Sequence, residues 1–308
     1  MPSSVKEGRV TKAKSKSRST SSSVLSSSLG KRRREHAEAT PKPLPLVERT
    51  NALPIDQFIE KYVPQSSLQL NLPGPKQKQK QTHDDKDKPA DRNGDHDHKE
   101  QDSPSTTNYI IDIHTAQSVP PADFQACFNL IELTSSNDYM NSSIGWSPAK
   151  KRKEMKLPDM RYILLRPALA PGRPDTGQHE GGVDKAPSEE GTGAGKGQVL
   201  GFLSFMVTYE DGKEVIYCYE IHLSPTLRGK GAGKHLMTLY EEIGRRVGLE
   251  KAMLTVFKAN TVARRFYDLL GYDVDEYSPQ PRRLRNGTVK EPDYLILSKA
   301  LKGNLPDV

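Results

Sequence analysis

Apolar residues are spread unevenly along this chain. Up to residue 50 they are scattered through Ser, Lys, Arg and Pro. Over 51–63, NALPIDQFIEKYV, Ile55, Phe58, Ile59 and Tyr62 recur at i, i+3, i+4 and i+7, which predicts a short helix with one apolar face. So short a helix does not persist alone, so it is expected to dock on a larger domain. Residues 64–107 return to polar sequence, including KQKQKQTHDDKDKPADRNGDHDHKEQD, and read as a disordered linker. Sustained patterning occupies 108–302. Strands are expected in NYIIDIH, MRYILLR, QVLGFLSFMVTYE, KEVIYCYEIHLS, KAMLTVFK and DYLILSKAL. Helices are expected in PPADFQACFNLIELTSSN, with Phe124, Cys127, Phe128 and Ile131 inward, and in SPAKKRKEMK, with Ser147 as cap and Pro148 in the first turn. A third helix carries Leu236, Leu239, Tyr240, Ile243 and Val247. A fourth, NTVARRFYDLLGY, turns Ala263, Phe266, Tyr267 and Leu270 inward and stops at Gly271. Asp211–Gly212 signals a hairpin. Residues 167–197 read as a loop insertion and 303–308 as a tail. The order β-α-α-β-β-β-α-β-α-β predicts an α/β (α+β) domain, a mixed central sheet flanked by helices on both faces.

Composition narrows this picture. Of 308 residues only 34% are hydrophobic and 6% aromatic, so one folded domain is diluted by unstructured arms. Cys127 and Cys218, both inside apolar patterns, make neither a disulfide framework nor a zinc site, and a reducing compartment follows. No stretch nears the ~18 apolar residues of a membrane helix, and the start has no apolar signal core; no membrane association is expected. The net charge is +7, with basic residues clustered in KAKSKSRS and GKRRREH of the Ser-rich tail 1–50. That tail reads as solvated chain. Lys31–Arg34 could also serve as a nuclear localisation signal, or make weak nucleic-acid contact. His83, His96 and His98 alternate with Asp, but a polar linker has no rigid frame to hold ligands, and no metal is expected.

The stretch Leu227–Met237, LRGKGAGKHLM, carries the sharpest chemical signal. Glycine lets backbone N–H groups converge on one point, and a helix N-terminus adds unpaired donors and partial positive charge; together they seat a phosphate. The nucleoside triphosphate loop G-x-x-x-x-G-K-[ST] fails because His235 follows Lys234. Gly229, Gly231 and Gly233 do not match the dinucleotide fingerprint, and no early βαβ unit frames them.

The remaining pattern, R-x-x-G-x-G at Arg228, Gly231 and Gly233 between a strand and a helix, resembles the pyrophosphate seat of the Gcn5-related N-acetyltransferase (GNAT) superfamily. NTVARRFYDLLGY resembles that superfamily's second motif through Asn260, Ala263, Tyr267 and Gly271–Tyr272. The resemblance implies the GNAT fold and acetyl-CoA as co-substrate, without a metal. It places the cofactor at Ile221, His222, Leu223, Arg228, Gly229, Lys230, Gly231, Ala232, Gly233, Lys234 and Asn260. Tyr267 either protonates the departing thiolate or simply packs in the core. Pantetheine, extended and rich in amides, can pair with the strand edge at Ile221–Leu223 as an added strand would.

Within that superfamily, YCYEIHL, MLTVFKAN, DYLILSKAL, the Gly145–Trp146 segment DYMNSSIGWSPAKKRKEM and the helix at 51–63 together resemble the histone-specific N-terminal acetyltransferases. The resemblance covers 51–63 and nearly all of 108–302. It implies substrate contacts at Tyr139, Trp146, Tyr217, Tyr219, Thr255 and Tyr294, and a catalytic group of Glu220, Tyr219 and Tyr267 with Glu220 as base. It further implies histone 4 and histone 2A tails beginning Ser-Gly-Arg-Gly as partners; a nuclear and cytoplasmic location and a monomer are expected beside it. An α-amine with pKa near 7.7–8.0 needs only modest help from a carboxylate. Two positions depart from the family: Ile144 stands where it has tryptophan and Thr208 where it has aspartate. Glu210 or Asp211 could replace the latter only if the hairpin register differs. A lysine or small-amine acetyltransferase, or a non-catalytic chromatin-binding module, are the alternatives.

Overall fold

The computed structural model describes residues 43–73, 106–168 and 197–302. Two short helices come first, α1 (Leu46–Asn51) and α2 (Ile55–Tyr62), followed by β1 (Gln69–Pro73), β2 (Thr106–Thr115), α3 (Pro121–Met140) and α4 (Pro148–Glu154). Then come β3 (Arg161–Pro167), β4 (Gly201–Glu210), β5 (Lys213–Leu223), α5 (Ala232–Val247), β6 (Lys251–Phe257) and α6 (Thr261–Asp268). The last described elements are β7 (Asp273–Val274), a small separate hairpin of β8 (Arg282–Arg283) and β9 (Val289–Lys290), and β10 (Tyr294–Ala300). Among the described residues eight strands form one sheet in the order β1-β2-β3-β4-β5-β6-β10-β7. Its pairs are antiparallel except β5 with β6. That parallel pair needs a crossover, which α5 supplies.

Helices cover both faces, as the alternation of apolar runs predicts. On one face α2, α5 and α6 pack over Ile163, Leu203, Phe205, Cys218 and Ile221. The apolar stripe of α5, Leu236, Leu239, Tyr240, Ile243 and Val247, is buried throughout. On the other face α3 lays Phe124, Cys127, Phe128 and Ile131 against Tyr162, Phe202 and Tyr217. Asp211 and Gly212 adopt positive φ at 48° and 84°, the backbone that a two-residue hairpin between right-twisted strands requires.

Two expected boundaries move. Residues 43–51 do not all belong to the tail: α1 buries Val47 and Thr50, and the Arg161 guanidinium donates to the Asn51 side chain at 3.0 Å and the Thr50 carbonyl at 3.3 Å. A single apolar turn after Pro45 is invisible when composition is averaged over a Ser- and Lys-rich tract. The segment 64–107 likewise does not begin as a linker. A 3-10 turn at Gln65–Leu68 leads into β1, which pairs with β2 from Gln69↔Ile110 to Pro73↔Thr106. Leu68, Leu70 and Leu72 alternate there, a period-two signal swamped by the polar sequence after it. The polar stretch before the last strand also contributes β7 and the β8–β9 hairpin. The histidines at 83, 96 and 98, the basic runs of the tail, most of the 167–197 insertion and 303–308 lie outside the described residues.

Candidate active site

The site is built on an irregularity in β5. Ser204 of β4 pairs with Glu220, but its neighbour Phe205 pairs with Cys218, so Tyr219 is an extra residue, a bulge. A bulge breaks the two-residue alternation of side chains. Tyr217 and Tyr219 lie in the α3 core, and after the bulge Glu220 and His222 face the same way, while Cys218, Ile221 and Leu223 face α5. Pairing of β5 with β6 also stops at Cys218↔Leu254. Beyond it the strands part, and among the described residues no strand pairs with that edge of Glu220–Leu223. Such an edge accepts an extended, amide-bearing ligand.

Immediately after this edge comes the glycine loop. Ser224 caps the 3-10 turn Pro225–Leu227, and Gly229 and Gly231 take positive φ at 72° and 92°. A Cβ at either would meet no heavy atom within 4 Å, so backbone conformation rather than crowding selects glycine. Gly231 caps α5 without a side-chain acceptor, which leaves the first N–H groups of α5 available, and Ala232 and Gly233 are buried at its start. Arg228 and Lys234 are exposed beside the loop, with Lys230 half-buried. The loop therefore has donors, positive charge and room for a phosphate.

Glu220 sits where the strands part, only 2% exposed. Its Oε1 accepts from Lys151 Nζ at 2.8 Å and lies 3.4 Å from the Tyr139 hydroxyl; its Oε2 lies 2.6 Å from His222 Nε2. Lys151 also donates to Tyr139 Oη at 2.7 Å and to Glu154 at 2.5 Å. Burial alone would raise the Glu220 carboxyl, but Lys151 and the His222 hydrogen bond outweigh it and hold it below its ordinary value. Burial opposes the Lys151 charge too, yet Glu220, Tyr139 and Glu154 keep its ammonium well above the usual range. Burial lowers His222, with Glu220 opposing. At neutral pH the site holds an ionised Glu220, a charged Lys151 and a neutral imidazole.

The expected substrate residues fall into two groups. Tyr139 and Trp146 pack with tilted rings 5.5 Å apart, Tyr139 meets Phe257 edge-on at 5.3 Å, and Tyr294 and Ile144 complete that cluster. Tyr217 and Thr255 bond each other at 2.5 Å across β5 and β6, with Tyr219 edge-on to Tyr217 at 5.6 Å. Tyr217, Tyr219 and Thr255 are thus engaged with the sheet, whereas Tyr294 is half-exposed. Glu210 bears on the same place: its charge helps hold both Tyr217 and Tyr219 phenols above their ordinary range, after burial. Thr208 pairs with Val215 further along the hairpin.

Some cofactor and catalytic candidates take other work. The His222 side chain is fully buried and bonded to Glu220 and Thr134, so only its backbone remains for a cofactor. The Asn260 carbonyl caps α6 by accepting from Ala263 N at 3.0 Å, and its amide donates to Asp138 at 3.0 Å, tying α6 to α3. Tyr267 is buried between Phe266 and Tyr272, and burial raises its phenol; it stays protonated and able to donate. Sequence reasoning missed Lys151, Thr134, Asp138 and Glu154. Nothing in AKKRKE distinguishes the one lysine that α4 turns inward. No group of three His, Cys, Asp or Glu side chains able to hold a metal is found among the described residues.

Residues 173–272 match the sequence model of the Acetyltransferase (GNAT) family. Over 102 residues the chain is 37% identical to N-alpha-acetyltransferase 40 of Saccharomyces cerevisiae; the match spans 27% of this chain and 36% of that relative. Among solved structures, the IAA acetyltransferase from Bacillus cereus aligns with 62% of this chain and 99% of its own, at 14% identity and a TM-score of 0.36. The ribosomal-protein-S18-alanine N-acetyltransferase from Escherichia coli aligns with 64% and 99%, also at 14% identity and a TM-score of 0.36. The family match over 173–272, the glycine loop at the start of α5 and the parting of β5 from β6 give the described domain the GNAT fold.

Proposed function

We propose that this protein transfers the acetyl group of acetyl-CoA to a protein N-terminal α-amine, and that histone 4 and histone 2A tails of the Ser-Gly-Arg-Gly type are its substrates. The observation that carries the reading is the position of Glu220, a buried carboxylate at the point where β5 leaves β6, one short turn before the glycine loop. Bound acetyl-CoA supplies an activated thioester. The residues that fit it are the donors of the Gly229–Lys234 loop and the strand edge at Ile221–Leu223. A backbone N–H on that edge is suited to stabilise negative charge on the thioester oxygen. Glu220 orients the incoming amine and draws off its proton; the aromatic group of Tyr139, Trp146 and Tyr294 walls the approach. Tyr267 is suited to return a proton to the leaving sulfur.

An α-amine fits this site better than a lysine side chain. Glu220 is held ionised and weakly basic by Lys151. An α-amine has a pKa near 7.7–8.0 and is partly neutral at physiological pH, whereas lysine, near 10.4, asks for a stronger base. The name of the yeast relative supports the same choice. A nuclear and cytoplasmic location is part of the proposal and rests on the basic run Lys31–Arg34.

Mass spectrometry of a Ser-Gly-Arg-Gly-Lys peptide after incubation with the protein and acetyl-CoA tests the proposal. A single acetyl group on the α-amine is the expected outcome. Acetylation of the lysine alone, or no acetylation, rejects it.

A further inference from the structure

Three contacts behind Glu220 form a line whose hydrogen atoms can be counted. Thr134 Oγ1 lies 2.7 Å from the Leu130 carbonyl and 2.5 Å from His222 Nδ1, and His222 Nε2 lies 2.6 Å from Glu220 Oε2. Three hydrogen bonds need three hydrogens. Thr134 carries one, a neutral imidazole one and a carboxylate none. The line is fully bonded only when it holds one further proton.

Both states of the line are well formed. With the extra proton, it lies between Glu220 Oε2 and His222 Nε2, Nδ1–H donates to Thr134, and Thr134 donates to Leu130. Without it, Nε2–H donates to the Glu220 carboxylate and the Thr134 hydroxyl turns to Nδ1. Leu130 then keeps only its helical N–H bond, which suffices for one carbonyl. No buried polar atom of the three side chains is orphaned in either state, so a proton can enter or leave without the penalty of an unmade hydrogen bond.

We propose that Glu220 and His222 together form the proton acceptor of the site, with His222 as the positioning residue and Thr134 as the hydroxyl that turns to match. This rests on α-amine acetylation as the activity. The acceptor begins as R–NH3+; one proton passes to the Glu220–His222 pair and leaves R–NH2. Nitrogen then bonds to the acetyl carbon as the carbon–sulfur bond breaks. The second nitrogen proton goes to the sulfur, giving amide and free thiol, and the pair later releases its proton to solvent past half-buried Thr134. The imidazole bonds Glu220 of its own strand and feels Lys151 of α4; Glu154 of α4 and Tyr139 of α3 accept from Lys151 in turn, and the Tyr162 hydroxyl of β3 is taken by the Met155 carbonyl. Phe202 of β4 lies against its face at 5.6 Å. Burial disfavours charge on the imidazole, against the pull of Glu220, so a proton there is lightly held, and the apparent ionisation belongs to the pair.

The test is a kcat–pH profile from pH 5.5 to 9 at saturating acetyl-CoA, using a peptide with a free N-terminal serine. Wild type is compared with His222→Gln, which keeps an N–H for Glu220 but cannot take a proton, and with Thr134→Val, which removes the turning hydroxyl. His222→Gln is expected to lower the plateau about 10- to 100-fold. It should also move the acid limb to lower pH, because Glu220 alone beside Lys151 is the weaker base. Thr134→Val is expected to move the limb the same way. A wild-type plateau and limb in His222→Gln overturns the proposal, and so does a lowered plateau with an unmoved limb, the mark of a purely structural role. If wild type leaves the α-amine unmodified, the activity itself is rejected and the pair with it, so the two failures are read apart.

Discussion

Lys151 and Glu220, 69 residues apart in sequence, meet at 2.8 Å with side chains 6% and 2% exposed. A buried ion pair adds little net stability, but removing one partner strands the other charge away from water. Lys151→Met should therefore cost about 3–5 kcal/mol and raise the Glu220 carboxyl. The double variant Lys151→Met with Glu220→Gln should regain much of that stability without regaining activity. Thermal melts of the three proteins check this; a double variant no more stable than Lys151→Met would show that the pair is not what the single change breaks.

Gly231→Glu should abolish acetyl-CoA binding while leaving the fold intact. The position is exposed, its φ of 92° disfavours any side chain, and nothing lies within 4 Å of a Cβ there. The new carboxylate would enter the space assigned to phosphate, with like charge. Titration calorimetry with acetyl-CoA is the measurement, and unchanged affinity would remove the loop from the binding site.

Deleting residues 43–52 should destabilise the domain although no candidate catalytic residue is touched. The segment buries Val47 and Thr50, gives Arg161 two acceptors, and donates from the Asn51 amide to the Val207 carbonyl at 2.9 Å. Losing the apolar contact and stranding a buried guanidinium should cost at least about 2 kcal/mol, a drop of roughly 4–8 °C in Tm for a domain of this size. An unchanged Tm would return α1 to the tail.

What could be read from the sequence was local. The α5 stripe, the Asp211–Gly212 turn, the Ser147 cap and the glycine loop each declare themselves within a few residues. The bulge did not, because in YCYE every position suits a buried strand and no alternation marks the extra residue. Lys151 and Thr134 were also hidden. Their partners lie 69 and 88 residues away, and only the packing of α3 and α4 across β5 makes them part of the site. Asn260 shows the converse: a residue chosen for a ligand role also serves as a helix cap and a strut to Asp138.

Acidification should destabilise the protein in two steps. Glu220 and His222 titrate as a pair in the folded state: burial holds the imidazole below its ordinary 6.5, and Lys151 and His222, against burial, hold the carboxyl below its ordinary 4.5. In both cases the unfolded chain takes up its proton first as pH falls, so stability is lost on acidification, through the His222 contribution below about pH 6.5 and the Glu220 contribution below about pH 4.5. His222→Gln should flatten the first step and leave the second. Tm measured from pH 8 to 4 follows both, and equal slopes between pH 7 and 5.5 in the two proteins would contradict the burial of a neutral imidazole.

Glu220→Gln probes the chemistry most directly. Glutamine keeps the size of the side chain and can still meet His222 and Lys151, while Glu154 at 2.5 Å continues to neutralise Lys151. What is lost is the capacity to hold a proton and a full negative charge. General-base catalysis contributes about 10²–10⁴-fold, so kcat should fall on that order while acetyl-CoA affinity, set by the glycine loop and the strand edge, stays constant. The deficit should shrink as pH rises past about 8, because the α-amine is then already neutral. If Glu220 served only to balance Lys151, the variant would melt earlier but turn over at the wild-type rate at every pH. Parallel profiles of equal height would therefore take Glu220 out of the mechanism, and a deficit that closes in alkali keeps it in.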